Sequence, residues 1–264
     1  MPEFPADAKG LAGRDASSTL LNAIAPRVPW LLGGAAELAP STKTRLTFEG
    51  AGDFGANDRA GPNLHFGIRE HAITAIANGM SLSKLRPYAS GFLIFSDYAR
   101  GATRLSAIME IPVIHVFTHD SIGVGEDDPT HQPVEHPASL RATPGLDVIR
   151  PGDANEVAEA WRLIMELRHQ PVALILSRQA MPTLDRSRYA PASGLRRGGY
   201  VLADAPGGAP EVILIATGSE VGLAVQAHEQ LTGEGIPARV VSLPCWELST
   251  GSRRTTARRC SRPR

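Results

Sequence analysis

The chain has 264 residues, 42% of them hydrophobic, and its 27 basic and 27 acidic side chains leave it formally neutral. That is enough apolar material for one large or two modest domains, and the charge balance argues against a nucleic-acid partner recruited by net charge. No basic-then-apolar leader and no apolar run long enough to cross a bilayer is read in it, so the expected setting is the cytoplasm without membrane contact. Cys245 and Cys260 lack metal-type or redox-type spacing and are expected to be free thiols of a reducing compartment.

Short β-branched runs alternate with helical patterns along the first 180 or so residues, the rhythm of a parallel sheet covered by helices on both faces. The sequence predicts strands at 30–32, 113–117, 147–149 and 172–176, and helices starting near Glu70, Ser96 and Asp153. The last helix is well marked: Asp153 can cap it with Glu156 three residues on, while Val157, Ala158, Trp161, Ile164 and Met165 form its apolar face. After Pro182 the pattern lapses into TLDRSRYAPASGLRRG (183–198), which reads as a domain boundary. A second α/β unit follows, with a strand at 211–216, a turn and helix cap at Gly218 and Ser219, a helix over 221–231 and a second, parallel strand at 239–243. The tail TGSRRTTARRCSRPR (250–264) has no apolar periodicity. The expected organisation is therefore a domain over 1–188, a partial one over 189–249 and an irregular Arg-rich tail over 250–264.

Two passages carry chemistry. HFGIREHAITAIANGM (65–80) sets Glu70 where a tight Gly67 turn enters an apolar helix marked by Ile73, Ile76, Ala77 and Met80. Taken alone, a first-turn acid merely complements the helix dipole. SGFLIFSDYARGATRLSAI (90–108) packs Phe92, Phe95 and Tyr98 into seven positions, a spacing that puts three rings on one side of a helical turn and would ordinarily mean core.

Together these passages resemble the pyrimidine-binding domain of a thiamine diphosphate enzyme, specifically of a transketolase. GGAAELAPSTKT (33–44), FTHDSIGVGEDDPTHQPVEH (117–136), IRPGDANE (149–156) and LILSRQAMP (174–182) are similar to transketolase passages in the family's order and spacing. The second unit resembles the start of the family's C-terminal domain up to SLPCWEL (242–248), where the likeness stops, as a truncated or frame-shifted gene would produce. The family's N-terminal pyrophosphate-binding domain, which holds Mg²⁺ and the cofactor's diphosphate, is not matched, and no GDG-type metal motif occurs, so no metal ligand is expected in this chain. The implied fold is α/β, a parallel sheet flanked by helices followed by a truncated second α/β domain.

The resemblance implies the pentose phosphate reaction of transketolases: a two-carbon ketol unit moves from a ketose phosphate to an aldose phosphate through thiamine diphosphate. It implies a dimer or other homo- or hetero-oligomer whose active site forms against a pyrophosphate-binding domain or subunit, with the isolated chain inactive. By position in the family motifs, Glu70 resembles the acid that bonds pyrimidine nitrogen N1′ and relays a proton in a largely dry site, and Phe92, Phe95 and Tyr98 resemble its ring pocket. Arg14 in AGRDASSTLL, Ser41 and Arg178 match residues that hold the acceptor's phosphate. His119 corresponds to a contact at the phosphate end, Asp127 to the reader of a sugar hydroxyl, and His131 to a proton-transfer residue at the donor's carbonyl. Three departures affect substrate geometry: Glu37 for a usual Asp, Asp128 for a usual Gly, and Gly13 for a usual Thr. The β subunit of 2-oxo acid dehydrogenases and deoxyxylulose phosphate synthase share the domain but not the GED-PTHQPVEH passage. A non-catalytic fragment or assembly module is the alternative from outside enzymology.

Overall fold

The computed structural model describes residues 1–124 and 129–251. Its strands are β1 (Asp7–Ala12), β2 (Leu31–Ala35), β3 (Asn63–His65), β4 (Arg86–Phe92), β5 (Ile114–Thr118), β6 (Asp147–Ile149), β7 (Val172–Leu176), β8 (Ala180–Thr183), β9 (Tyr200–Ala203), β10 (Val212–Ala216) and β11 (Ala238–Ser242). Its α-helices are α1 (Gly13–Ile24), α2 (Ala39–Thr42), α3 (Glu70–Leu82), α4 (Ser96–Ile108), α5 (His136–Arg141), α6 (Ala154–Glu166), α7 (Glu220–Gly233) and α8 (Trp246–Gly251).

Six strands form one parallel sheet in the order β3-β2-β4-β5-β7-β6. The central runs IHVFT and VALIL are buried at every position, which is why they read as continuous apolar stretches: a parallel strand is covered on both faces. Alternation still sorts the side chains. Ile114, Val116, Val172, Leu174 and Leu176 join the core built with α1 and α6 around the fully buried Trp161. Val113, Phe117, Ala173 and Ile175 point to the opposite side, toward the clusters that hold Ile73, Ala77 and Leu93. Trp161 anchors the first layer with polarity as well as area, because its indole nitrogen donates to Ser17 Oγ at 2.9 Å. Burying such a ring requires a partner for that N–H.

The expected strands at 147–149 and 172–176 are found with those bounds, and those expected at 30–32 and 113–117 occupy 31–35 and 114–118. Helices begin at Glu70 and Ser96 as expected, and Asp153 caps α6, its carboxylate accepting from Glu156 N at 2.8 Å. Strands β1, β3, β4, β8 and β9 have no counterpart in the expectation. β4, RPYASGF, carries a Pro and a Gly and no alternation; it is identified only by the two neighbours it pairs with.

The second unit is a three-stranded sheet, β10-β11-β9. β10 and β11 are parallel as expected, and β9 adds an antiparallel strand. Its own core gathers Leu184, Tyr200, Leu202, Val221, Val225 and Val240. One expectation fails here: Ser219 makes no capping bond to α7, because its hydroxyl is turned instead to Asp120 of the first unit. Cys245 is free and buried; Cys260 and the tail beyond 251 lie outside the described residues, as do Glu126, Asp127 and Asp128. Among the described residues no helix is long and apolar enough to cross a membrane.

Candidate active site at the carboxyl ends of the strands

The chain order of the sheet brings the candidate residues to one edge. Phe92 ends β4, His119 follows β5, Arg178 lies two residues past β7, and Glu70 opens the helix reached after β3. That is the edge where open α/β sheets bind ligands, because the crevices between diverging loops form there.

Glu70 is placed by the turn before it. Gly67 has φ +73, a conformation open to glycine at no steric cost, and Gly67 N donates to the Ala36 carbonyl at 3.1 Å just past β2. The turn is thereby clamped to the sheet, and α3 starts with Glu70 half-buried at the mouth of a narrow crevice. The crevice is lined by Glu70, Ile73, Thr74, Ser90, Phe92 and His115 among others. Most of its wall is apolar, and Glu70 contributes its carboxylate among those lining residues.

The rings form one array, though on a different frame from the one expected. Phe92 is extended at the end of β4, Phe95 lies in a short 3₁₀ turn, and only Tyr98 is in α4 proper. Phe92 and Phe95 stack with centroids 5.9 Å apart and planes 20° apart, and Phe95 and Tyr98 follow at 6.0 Å. Two histidines complete it. His119 lies 3.9 Å from Phe92, and His131 meets Phe92 and Phe95 edge-on at 5.3 and 5.7 Å. The cup is open on one side: Phe92 is buried, whereas Tyr98 is 66% exposed. The segment bearing His131 is pinned to the ring-bearing helix from the far side, where His136 Nε2 lies 3.2 Å from Asp97 Oδ2 and Arg100 bonds Ser139.

The phosphate candidates Arg14, Ser41 and Arg178 are linked in a chain near the end of β7. Arg14 Nη1 donates to the Ser41 carbonyl at 2.9 Å, so the predicted pair does meet, through the main chain of Ser41. Arg14 N also donates to Ser177 O at 3.2 Å, next to Arg178, whose guanidinium bonds the Val124 carbonyl at 3.0 Å. Gly13 has a local reason to lack a side chain: its N–H donates to Ser177 Oγ at 2.8 Å, and a Cβ would stand 3.0 Å from Ser177 N. Glu37 is exposed.

Three groups were not foreseen. His115 is fully buried on β5, facing the crevice, and burial pushes its pKa down to about 4. Ser106 Oγ donates to Thr103 O at 2.8 Å and therefore accepts from His115 Nε2 at 3.1 Å, which places a ring proton on Nε2. Asp120 and Arg150 form a buried pair at 2.8 Å behind His119. A histidine inside an apolar run and an Asp-Arg pair 30 positions apart carry no local signal.

Residues 9–183 match the family model described as "Transketolase, pyrimidine binding domain", and residues 198–259 match "Transketolase-like TK C-terminal domain", which continues past 248. The protein class is therefore a thiamine-type pyrimidine-binding α/β domain joined to a smaller second unit. The chain belongs to the transketolase family. It is 52% identical over 240 residues to a transketolase of Geobacillus stearothermophilus, a match covering 90% of this chain and 36% of that one. The chain thus spans about 36% of the length of such curated relatives. A Pichia stipitis transketolase solved with sedoheptulose-7-phosphate superposes with TM-score 0.88 at 41% identity, over 95% of this chain and 37% of that one. A structure described as a split-gene transketolase, an inactive β4 tetramer, superposes with TM-score 0.71 at 27% identity, over 94% of this chain and 77% of that one.

Proposed function

We propose that this chain is the pyrimidine-binding part of a transketolase which, assembled with a pyrophosphate-binding domain or subunit, transfers a two-carbon ketol unit from a ketose phosphate to an aldose phosphate. The observation that carries this reading is the joint placement of Glu70 and Phe92 on one crevice, with Phe95, Tyr98, His119 and His131 continuing the ring array. These residues fit an aminopyrimidine in kind: flat faces for stacking, an apolar wall, and one carboxyl group on the same crevice. Thiamine diphosphate, when bound, supplies the carbon that carries the two-carbon unit. Glu70 would hold a proton at pyrimidine N1′, and Phe92, Phe95 and Tyr98 would orient the ring and exclude water.

In the same reading His131 moves a proton at the donor's carbonyl end, Asp127 reads a sugar hydroxyl, and His119, Arg14, Ser41 and Arg178 receive the phosphate. Mg²⁺ and the diphosphate fall to the partner domain, and the domain boundary to the region of residues 188–189, beside which Leu184 and Tyr189 already pack on the second core. The need for a partner is supported by the exposure of large apolar side chains, Ile68 at 76%, Ile122 at 66% and Val134 at 72%.

The test is reconstitution. Mixing the chain with a transketolase pyrophosphate-binding domain, Mg²⁺ and thiamine diphosphate is expected to give ketol transfer that neither chain gives alone, and Glu70→Ala is expected to lower it by at least about 10²-fold, the scale of a lost proton relay. Equal rates from the alanine variant would remove Glu70 from the role assigned to it.

A further inference from the structure

We propose that Arg150 is a positioning residue through which the second α/β unit holds the turn after β5, and His119 with it, in the conformation that meets substrate. The functional half of this statement rests on the role given to His119 above; the structural half stands apart from it. His119 has φ +67, a left-handed backbone that is uncommon for a residue with a Cβ and persists where the surroundings stabilise it. The imidazole is also buried against Phe92 at 3.9 Å, so the strained residue is the one that closes the ring array. Something must enforce the conformation.

The next residue does so. The Asp120 side chain is 1% exposed, and its Oδ2 accepts from Arg150 Nη2 at 2.8 Å, from Ser219 Oγ at 2.9 Å and from Ser219 N at 3.4 Å. Arg150 follows β6 immediately, and its guanidinium, 8% exposed, also donates to the Thr217 carbonyl at 2.9 Å and pairs with Glu220. The Arg150 carbonyl in turn accepts from Gly218 N at 3.0 Å and Thr217 Oγ1 at 3.2 Å. The turn between β10 and α7 is therefore wrapped around this one arginine. Its closeness is enforced by Gly218, at φ +60, where a Cβ would stand 2.5 Å from Arg150 Nε.

The arrangement couples two distant turns. A buried carboxylate and guanidinium are tolerated only while each has the other, and removing one partner leaves an uncompensated charge in a poorly hydrated site. Asp120 stays folded inward, and His119 stays left-handed, only while Arg150 is held in place by the 217–220 turn. The Ser219 hydroxyl, expected to cap α7, is spent on Asp120 instead, which is what a turn shaped for this contact would show.

Hydrogen exchange on the chain as it stands tests the coupling with no cofactor, substrate or partner, so a failed reconstitution does not affect the result. Arg150→Met is expected to raise exchange of the 119–124 amides by about tenfold or more while β7 amides stay protected, the signature of a local opening. Ser219→Ala is expected to raise the same amides by about threefold, since it removes one of the contacts to Asp120. Unchanged exchange at 119–124 in both variants overturns the proposal. So does an increase spread evenly over β5, β6 and β7, which would make Arg150 ordinary domain glue. If Arg150→Met does not fold, Ser219→Ala together with Glu220→Gln decides by the same criterion. In a reconstituted enzyme the two surface-turn variants are further expected to raise KM for phosphorylated substrates several-fold with little change in kcat.

Discussion

The ring centroids of Phe92 and His119 lie 3.9 Å apart with planes inclined by 40°, joining the last residue of one strand to the first residue after its neighbour. The contact ties the proposed cofactor pocket to the proposed phosphate contact, so a change in one is felt by the other. Phe92→Ala is expected to lower unfolding free energy by about 3–5 kcal/mol, the usual cost of emptying a buried aromatic site, and Phe92→Leu by roughly 1–2 kcal/mol. Urea unfolding monitored by circular dichroism measures both; a loss below about 1 kcal/mol for the alanine variant would mean that the ring contributes little to packing.

Two buried groups give the chain opposing pH slopes. Burial lowers His115 from 6.5 to about 4 in the folded chain. Between those values the unfolded chain binds more protons, so stability is complete above pH 6.5 and falls toward pH 4, by roughly 3 kcal/mol. His115→Phe is expected to flatten this acid limb in denaturant titrations run from pH 7 to pH 4.

Asp147 behaves in the opposite sense. Burial, with the charge of Glu247 beside it, raises its pKa from 3.8 to about 6, so the stability it contributes is present below pH 3.8 and lost as pH rises through 6. Asp147→Asn is expected to stabilise the chain at pH 7.5 by about 2 kcal/mol and to have no effect at pH 4. A gain of equal size at both pH values would point to packing instead of charge.

Arg178 gives a prediction for the assembled enzyme. If it binds the acceptor's phosphate, Arg178→Ala removes a charge-assisted bond worth about 1.5–3 kcal/mol, which raises KM for a phosphorylated acceptor by about 10- to 100-fold. An unphosphorylated aldehyde of the same length is expected to be used equally by both enzymes, and Arg178→Lys to recover part of the loss. Equal loss toward both acceptors would place the arginine in loop structure, through its bond to Val124.

The open side of the ring cup predicts where a partner docks. Tyr98 at 66% and Ile68 at 76% exposure are expected to become protected when a pyrophosphate-binding chain is added, with amide exchange falling at the start of α3 and α4 and unchanged in the second unit. Protection confined to α7 and β10 would put the interface elsewhere.

Much of the first domain was legible in the sequence because its signals are local. A strand buried on both faces must be apolar throughout, which made VALIL readable to the residue; Asp153 and Glu156 marked the start of α6 because capping acts over three positions. The Gly67 turn and Glu70 were equally local, since only a few residues need be inspected to see a tight glycine turn leading into an apolar helix. β4 was missed because its sequence is ordinary for a loop and its identity comes from the two strands beside it. The cap expected of Ser219 was a sound local inference overridden by a buried carboxylate 99 positions away.

By itself, then, the sequence determined the alternation of elements, the family to which its motifs belong and the identity of the candidate side chains. The tertiary structure decided which of them touch. Strand order, a property of the whole sheet, sets β4 against β5 and so puts Phe92 on His119; the docking of a second unit puts Ser219 on Asp120; and enclosure by both helical layers turns His115 into a neutral imidazole. Hydrophobic periodicity and capping act within a few residues, whereas contact and desolvation depend on where the rest of the chain comes to lie.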